Sequence, residues 1–232
     1  MPRLQGLLVA LVLSVAPFAM SAQPPAFSVV EATIAEMQAA MRDRRVTSRA
    51  IVQQYLDRIA KYEDELNAVI SLNPRALREA DERDRERAQG KIRGPLHGIP
   101  VALKDNIHTT DMPTTGGTLA FEGFVPPYEA TITRNLREAG AIIIAKTNMT
   151  ELANWVAAAM PGNYNALAGY GLNPYDPRRD PRPGTNDGRP ALSPGGSSSG
   201  AGTAANFWAA NVGTETSGSI LTPANMTTLV GI

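Results

Sequence analysis

The sequence predicts an α/β fold, and two stretches carry that expectation. A helix-like segment over 129–139 runs into Gly140 and the β-branched run Ala141-Ile142-Ile143-Ile144-Ala145. A helix followed by a short apolar strand is the rhythm of a sheet covered by helices. A second apolar run, Ile99-Pro100-Val101-Ala102-Leu103, ends on Lys104-Asp105-Asn106 and reads as a buried strand leading into a turn. With 232 residues, 43% of them hydrophobic, the chain can bury one full core.

The remaining elements follow along the chain. Val30, Ile34, Met37 and Met41 recur at helical spacing within 28–45, and Thr33 with Glu36 matches a capping box that starts this helix a turn later. Thr47 or Ser48 caps a second helix with Ile51, Val52, Tyr55, Leu56 and Ile59 on one side. Ala68 to Leu72 reads as a strand. Residues 75–89 form a charged helix in which Glu79 with Arg83 and Asp81 with Arg85 are acid-before-base pairs, and the run reads as a solvated face. Residues 161–196, rich in proline, glycine and asparagine, read as a long loop.

Residues 1–22 have the three parts of a secretory signal. Arg3 supplies the charge, Leu7 to Val15 the apolar run, and Ala19, Ser21 and Ala22 the small residues before Gln23. The apolar run is short for a membrane span. The expectation is export to the periplasm or the medium, with no stable membrane span after cleavage.

Composition excludes several classes of chemistry. Lys plus Arg is 22 and Asp plus Glu is 22, so a nucleic-acid binder relying on phosphate neutralisation is disfavoured. The absence of cysteine removes disulfides, thiolate metal sites and a cysteine nucleophile. With only His97 and His108, a multi-histidine metal site is excluded and a Ser-His-Asp triad has few candidates. Both histidines read as structural or loop residues, Asp105 and Asn106 as organisers of the turn after Lys104, and Trp155 and Trp208 as core.

The chemistry-bearing stretch is Ser193-Pro194-Gly195-Gly196-Ser197-Ser198-Ser199-Gly200-Ala201-Gly202-Thr203, followed by Gly213-Thr214-Glu215-Thr216-Ser217-Gly218-Ser219-Ile220. Alone, the first part is compatible with a linker, a phosphate cradle or a helix cap. No Gly-Lys-Ser/Thr follows the glycines, so a Walker loop is not supported. Helix-forming Ala201 to Ala210 and a second Gly/Ser turn come directly after, which suggests two serine-bearing turns converging on one site. A serine hydroxyl needs a base to act as a nucleophile. A lysine serves if desolvation leaves it neutral. Lys104 and Lys146 both follow apolar runs, and spacing alone does not choose between them.

Three blocks together change the reading. Gly94-Pro95-Leu96-His97-Gly98-Ile99-Pro100-Val101-Ala102-Leu103-Lys104-Asp105-Asn106, then Pro194 to Gly200, then Gly213 to Ile220 with Pro223-Ala224, resemble the amidase signature family. The resemblance runs from about residue 30 to the last residue and looks most like the bacterial peptide amidase branch. It implies an α/β/α sandwich around a mixed central sheet, and a Ser-cisSer-Lys triad. Lys104 would be the base, Ser197 the bridging serine beside a cis peptide bond, and Ser219 the nucleophile. The N–H groups of Thr216, Ser217, Gly218 and Ser219 would form the oxyanion hole, and Ser198 would support Lys104. The implied substrate is a small-molecule or peptide amide, cleaved to acid plus ammonia or amine without metal or cofactor and without nucleic acid.

Two departures from the family pattern stand out. Ser219 follows Ser197 by 22 residues, two fewer than is usual in the family, so the intervening helix is expected to be short or irregular. The chain also stops at Leu229-Val230-Gly231-Ile232, where family members continue, so residues 23–232 are expected to be the N-terminal portion of the domain with the C-terminal part absent. The rival readings are an inactive truncated fragment, the glutamine-hydrolysing component of a tRNA amidotransferase, and an anion-binding module.

Overall fold

The computed structural model describes residues 26–158, 160–185, 187–196 and 199–232, and for Ser199 the backbone alone. The signal segment expected over residues 1–22 lies outside the described residues, as do Ser197 and Ser198.

The chain enters through two helices. Helix α1, Ile34–Arg42, starts where the capping box places it. Thr33 accepts from the Glu36 N–H at 3.2 Å, and Glu36 accepts from the Thr33 N–H at 2.8 Å. Helix α2, Ser48–Leu66, is capped by Thr47 and buries Ile51, Val52, Tyr55 and Ile59 on one stripe. It ends at Asn67, whose left-handed backbone turns the chain into strand β1, Val69–Leu72.

Helix α3, Ala76–Ala88, forms as expected but pairs its charges differently. Glu79 bonds Asn73 and faces Arg75 and Arg137, Asp81 meets Arg49 at 2.7 Å, and Arg83 turns to Glu86 at 3.2 Å. Neither expected pair, Glu79–Arg83 or Asp81–Arg85, is formed. Ala76 and Ala80 seat the helix on the core, and its charges divide between Arg49 and Arg137 on other elements and Arg75, its N-cap, and Glu86 on the same helix. The charged run is therefore a docked helix with an ion-paired flank, not a solvated face.

Strand β2, Pro100–Lys104, is buried at every residue. Helix α4, Thr131–Glu138, leads across Gly140 to strand β3, Ile142–Thr147, also fully buried. Runs buried on both faces need apolar residues without alternation, which is why these two read as continuous stretches. The four-stranded sheet has the order β1-β3-β2-β6, where β6 is Ala210–Val212. β1 runs antiparallel to β3, while β2 is parallel to both β3 and β6, so the sheet is mixed, as expected for the α/β class. One irregularity matters for the site. The β2–β3 register shifts between Val101 and Ala102, so that Leu103 faces Lys146 and Lys104 faces Thr147.

Residues 161–196 are mostly loop, with a small hairpin of β4, Tyr164–Asn165, and β5, Gly169–Tyr170. Helix α5, Ser199–Ala204, is six residues long, the short helix that the serine spacing predicts. Asn206 turns the chain with a φ of 56°, and Phe207 and Trp208 plug the core before β6 begins. Helix α6, Leu221–Met226, follows the second Gly/Ser turn. Among the described residues no helix is long and apolar enough to cross a membrane.

Candidate active site

Lys104 closes β2 at the sheet's C-terminal end, with its side chain buried. Among the described residues its ammonium has one hydrogen-bond acceptor, the Thr214 carbonyl at 3.0 Å. Burial pushes its pKa down to about 8, and the negative Glu215 nearby opposes the fall. Asn106 donates to the Thr214 hydroxyl at 2.9 Å, so the turn after β2 is tied at two points to the start of the second Gly/Ser turn.

Lys146 is equally buried and is also pushed down to about 8, again mainly by burial. Its surroundings differ. It donates to the Pro113 carbonyl at 3.1 Å and the Thr114 hydroxyl at 2.8 Å, and lies 3.5 Å from Asp105. Partners across parallel strands share a face, so the Leu103–Lys146 register sends Lys146 to the face opposite Lys104. Strand parity separates the two lysines: Lys104 meets the Gly/Ser turn and Lys146 meets the 113–115 loop. Asp105, expected to organise the turn after Lys104, instead braces that loop by accepting from both the N–H and the hydroxyl of Thr115.

The two Gly/Ser turns do converge. The Gly196 carbonyl accepts from the Thr150 hydroxyl at 2.7 Å, and Thr150 in turn accepts from the Asn163 N–H. Gly195 has a φ of +95°, and a Cβ there would lie 2.6 Å from the Pro223 backbone of α6. That close approach needs glycine and draws the first turn against the helix that follows Ser219. A cleft of about 440 Å3 opens between them, lined by Gly196, Thr216, Ser217, Gly218 and Ser219 from the turns and by Trp155 from the rim. Ser219 is half-buried in this wall.

The N–H groups of Thr216, Ser217 and Ser219 have no acceptor among the described residues, whereas the Gly218 N–H donates to Glu215 at 3.0 Å. Glu215 also accepts from the N–H groups of Ile220 at 2.6 Å and Leu221 at 2.8 Å. These bonds hold its carboxyl below the usual carboxylate range.

Trp155, expected in the core, is 78% exposed on the cleft rim, while Trp208 is buried as expected. The reason is local. Leu152, Ala153 and Asn154 have φ values of 42°, 54° and 71°, so the short 3-10 turn Glu151–Asn154 throws the next residue outward. His97 is buried and bonds the Arg83 carbonyl at 2.9 Å, a structural position as expected. Among the described residues there is no cluster of acidic or histidine side chains that could hold a metal. Glu215 is the residue that sequence reasoning passed over. Its signal, an acid inside a Gly/Ser/Thr turn, gains meaning only when the turn folds back on it.

Comparison with known proteins converges on one family. A probable amidase of Arabidopsis thaliana is 39% identical over 228 residues, covering 96% of this chain and 42% of that protein. A glutamyl-tRNA(Gln) amidotransferase component of Natranaerobius thermophilus is 39% identical over 207 residues, covering 87% of this chain and 38% of that protein. The crystal structure of the peptide amidase PAM with its competitive inhibitor chymostatin superposes with a TM-score of 0.77 at 44% identity, covering 85% of this chain and 39% of that one. The native peptide amidase of Stenotrophomonas maltophilia gives 0.75 at the same identity, covering 84% of this chain and 38% of that one. The chain spans about two fifths of the length of the curated relatives it matches. Since the amidase family model matches residues 50–232, the chain belongs to the amidase family.

Proposed function

We propose that the chain carries the catalytic half-site of a hydrolase of carboxylic or peptide amides, working through a serine acyl-enzyme. The observation that carries this reading is a desolvated lysine bonded to the very turn that presents Ser219 to a cleft. Neutral Lys104 takes the proton of Ser197, Ser197 takes that of Ser219, and the Ser219 oxygen attacks the amide carbonyl carbon. The oxyanion that forms accepts from the N–H groups of Thr216, Ser217 and Ser219, each such donor being worth about 3–4 kcal/mol. The C–N bond then breaks, the leaving nitrogen takes back the relayed proton, and water hydrolyses the acyl ester through the same relay. Ser198 supports Lys104 in this scheme, and Gly218 contributes to the hole through the backbone shape it permits. Relatives named as amidases and peptide amidases favour this reading over glutamine hydrolysis for tRNA amidation. The N-terminal signal pattern favours it too, since it points to export to the periplasm or the medium. The test is a serine-directed fluorophosphonate probe together with release of ammonia from peptide amides. Labelling and hydrolysis abolished by Ser219→Ala support the reading. Labelling that persists in that variant refutes the assignment of the nucleophile, and a wild-type chain that neither labels nor hydrolyses supports the inactive-fragment reading.

A further inference from the structure

We infer that Glu215 is a positioning residue of this site, clamping the Gly218–Leu221 turn that presents Ser219 and placing a negative charge one residue from the carbonyl that holds Lys104. The inference rests on the amidase reading for its purpose, though not for its geometry.

The clamp is built from one side chain. Both carboxylate oxygens are used, Oε1 for the Gly218 N–H and Oε2 for the Ile220 and Leu221 N–H groups. Hydrogen bonds from N–H to a carboxylate are shorter and stronger than neutral ones. Three of them on consecutive segments fix the backbone on both sides of Ser219. Gly218, at a φ of +84°, allows the chain to curl around the carboxylate; a Cβ there would fall 2.6 Å from the Thr222 hydroxyl. The same turn is tied to β2 through Thr214, which accepts from Lys104 and Asn106. Glu215 thus sits next to the residue that holds the base and encloses the residue proposed as nucleophile.

The clamp also sorts the donors of the turn. Gly218, Ile220 and Leu221 are committed to the carboxylate, and the N–H groups of Thr216, Ser217 and Ser219, residues that line the cleft, have no acceptor among the described residues. A neutral or shorter side chain would release committed donors and blur this division. On Lys104 the effect is electrostatic. A carboxylate favours the protonated amine, against the burial that disfavours it. Asp105 and Lys146, the other charges near the end of β2, face each other on the opposite side of the sheet.

The experiment needs no turnover, so its failure is distinct from failure of the amidase reading. In the 232-residue chain, the Lys104 amine is titrated by NMR of lysine 13C, with Lys146 as internal control, and backbone amide exchange is followed in the same samples. Glu215→Gln should lower the Lys104 midpoint by about half a pH unit, Lys146 staying put, because a like-sized neutral group removes the counter-charge. Glu215→Asp, retaining the charge, should keep the midpoint near wild type. Glu215→Ala should speed exchange at Gly218, Ile220 and Leu221 about tenfold or more relative to the β2 and β3 amides. A midpoint unmoved in Glu215→Gln, or exchange unchanged at these amides in Glu215→Ala, overturns the inference. If Glu215→Ala unfolds, exchange at the same amides is read in Glu215→Gln, where a rise of less than twofold overturns it.

Discussion

Replacing Lys104 by methionine should stabilise the protein at neutral pH while removing its proposed chemistry. The fall in pKa from 10.5 to about 8 means that the charged amine is disfavoured in the fold by about 3 kcal/mol, at roughly 1.4 kcal/mol per unit. Methionine fills nearly the same volume without a charge. Against that gain stands the Thr214 carbonyl, which loses its donor at a cost of about 1–3 kcal/mol. The net expectation at pH 7 is a gain of up to about 2 kcal/mol. The sign with pH follows from proton counting. Below pH 8 both folded and unfolded wild-type chains hold the proton, and the burial penalty is fully felt. Between pH 8 and 10.5 the unfolded chain holds one proton more than the folded one, so wild-type stability rises with pH through this window. By pH 9.5 the wild type should have recovered about 2 kcal/mol, and the advantage of Lys104→Met should have vanished or reversed. Lys146, present in both proteins, cancels in the difference. Urea unfolding of the two proteins at pH 7 and 9.5 reads this directly. A stability difference that stays constant within about 0.5 kcal/mol between those pH values would refute a depressed Lys104 pKa, and with it the neutral base.

Other consequences are simpler to read. Gly202→Ala places a methyl inside the van der Waals envelope of Trp208 ring carbons, and the ring is pinned by its indole N–H bond to Thr203 at 2.9 Å. Overpacking of about 1–3 kcal/mol outweighs the roughly 1 kcal/mol of helix propensity gained, so a lower midpoint in thermal melting is expected, and an unchanged one would show that α5 can shift. Thr33→Ala removes the capping box of α1 and should cost about 1 kcal/mol in denaturant unfolding, with no effect on probe labelling at Ser219. Acrylamide should quench Trp155 and leave Trp208 nearly untouched, so Trp155→Phe should abolish most of the quenchable emission; equal quenching of the two would contradict the outward turn after Asn154.

Most of the fold was legible because its signals are local. The capping box of α1, the Thr47 cap of α2 and the uninterrupted apolar runs of β2 and β3 each name their element from a few adjacent residues. The site was half legible. The motif blocks locate Lys104 and Ser219 by resemblance, and the shortened serine spacing correctly announces a short α5. What was missed depends on contacts between distant segments. Glu79 and Asp81 of α3 go to Arg137 and Arg49 because those side chains are brought there by packing, which a helix-face pattern does not encode. Trp155 is outward because three non-glycine residues before it adopt left-handed backbone, against their ordinary preference. Glu215 looks like one more polar residue in a turn until three N–H groups close on it.

The two buried lysines show how a single backbone detail can separate like side chains. Pro100 pairs with Ile142 and Val101 with Ile143, and an unbroken ladder would go on to pair Lys104 with Lys146. Both amines would then lie on one face, two buried like charges a strand's width apart, and each would disfavour the charge of the other. The β3 strand instead carries one extra residue at Ile144, whose carbonyl accepts from the Asn73 N–H at 2.9 Å. That insertion reverses the facing of everything beyond it relative to β2. Lys146 acquires a carboxylate, a hydroxyl and a carbonyl on its own side, and becomes a structural cation. Among the described residues Lys104 has one acceptor, the Thr214 carbonyl at the start of the second Gly/Ser turn. Equal burial lowers both pKa values to about 8, so desolvation alone nominates neither as a base. What separates them is the bulge, which ties only Lys104 to the turn that carries Ser219.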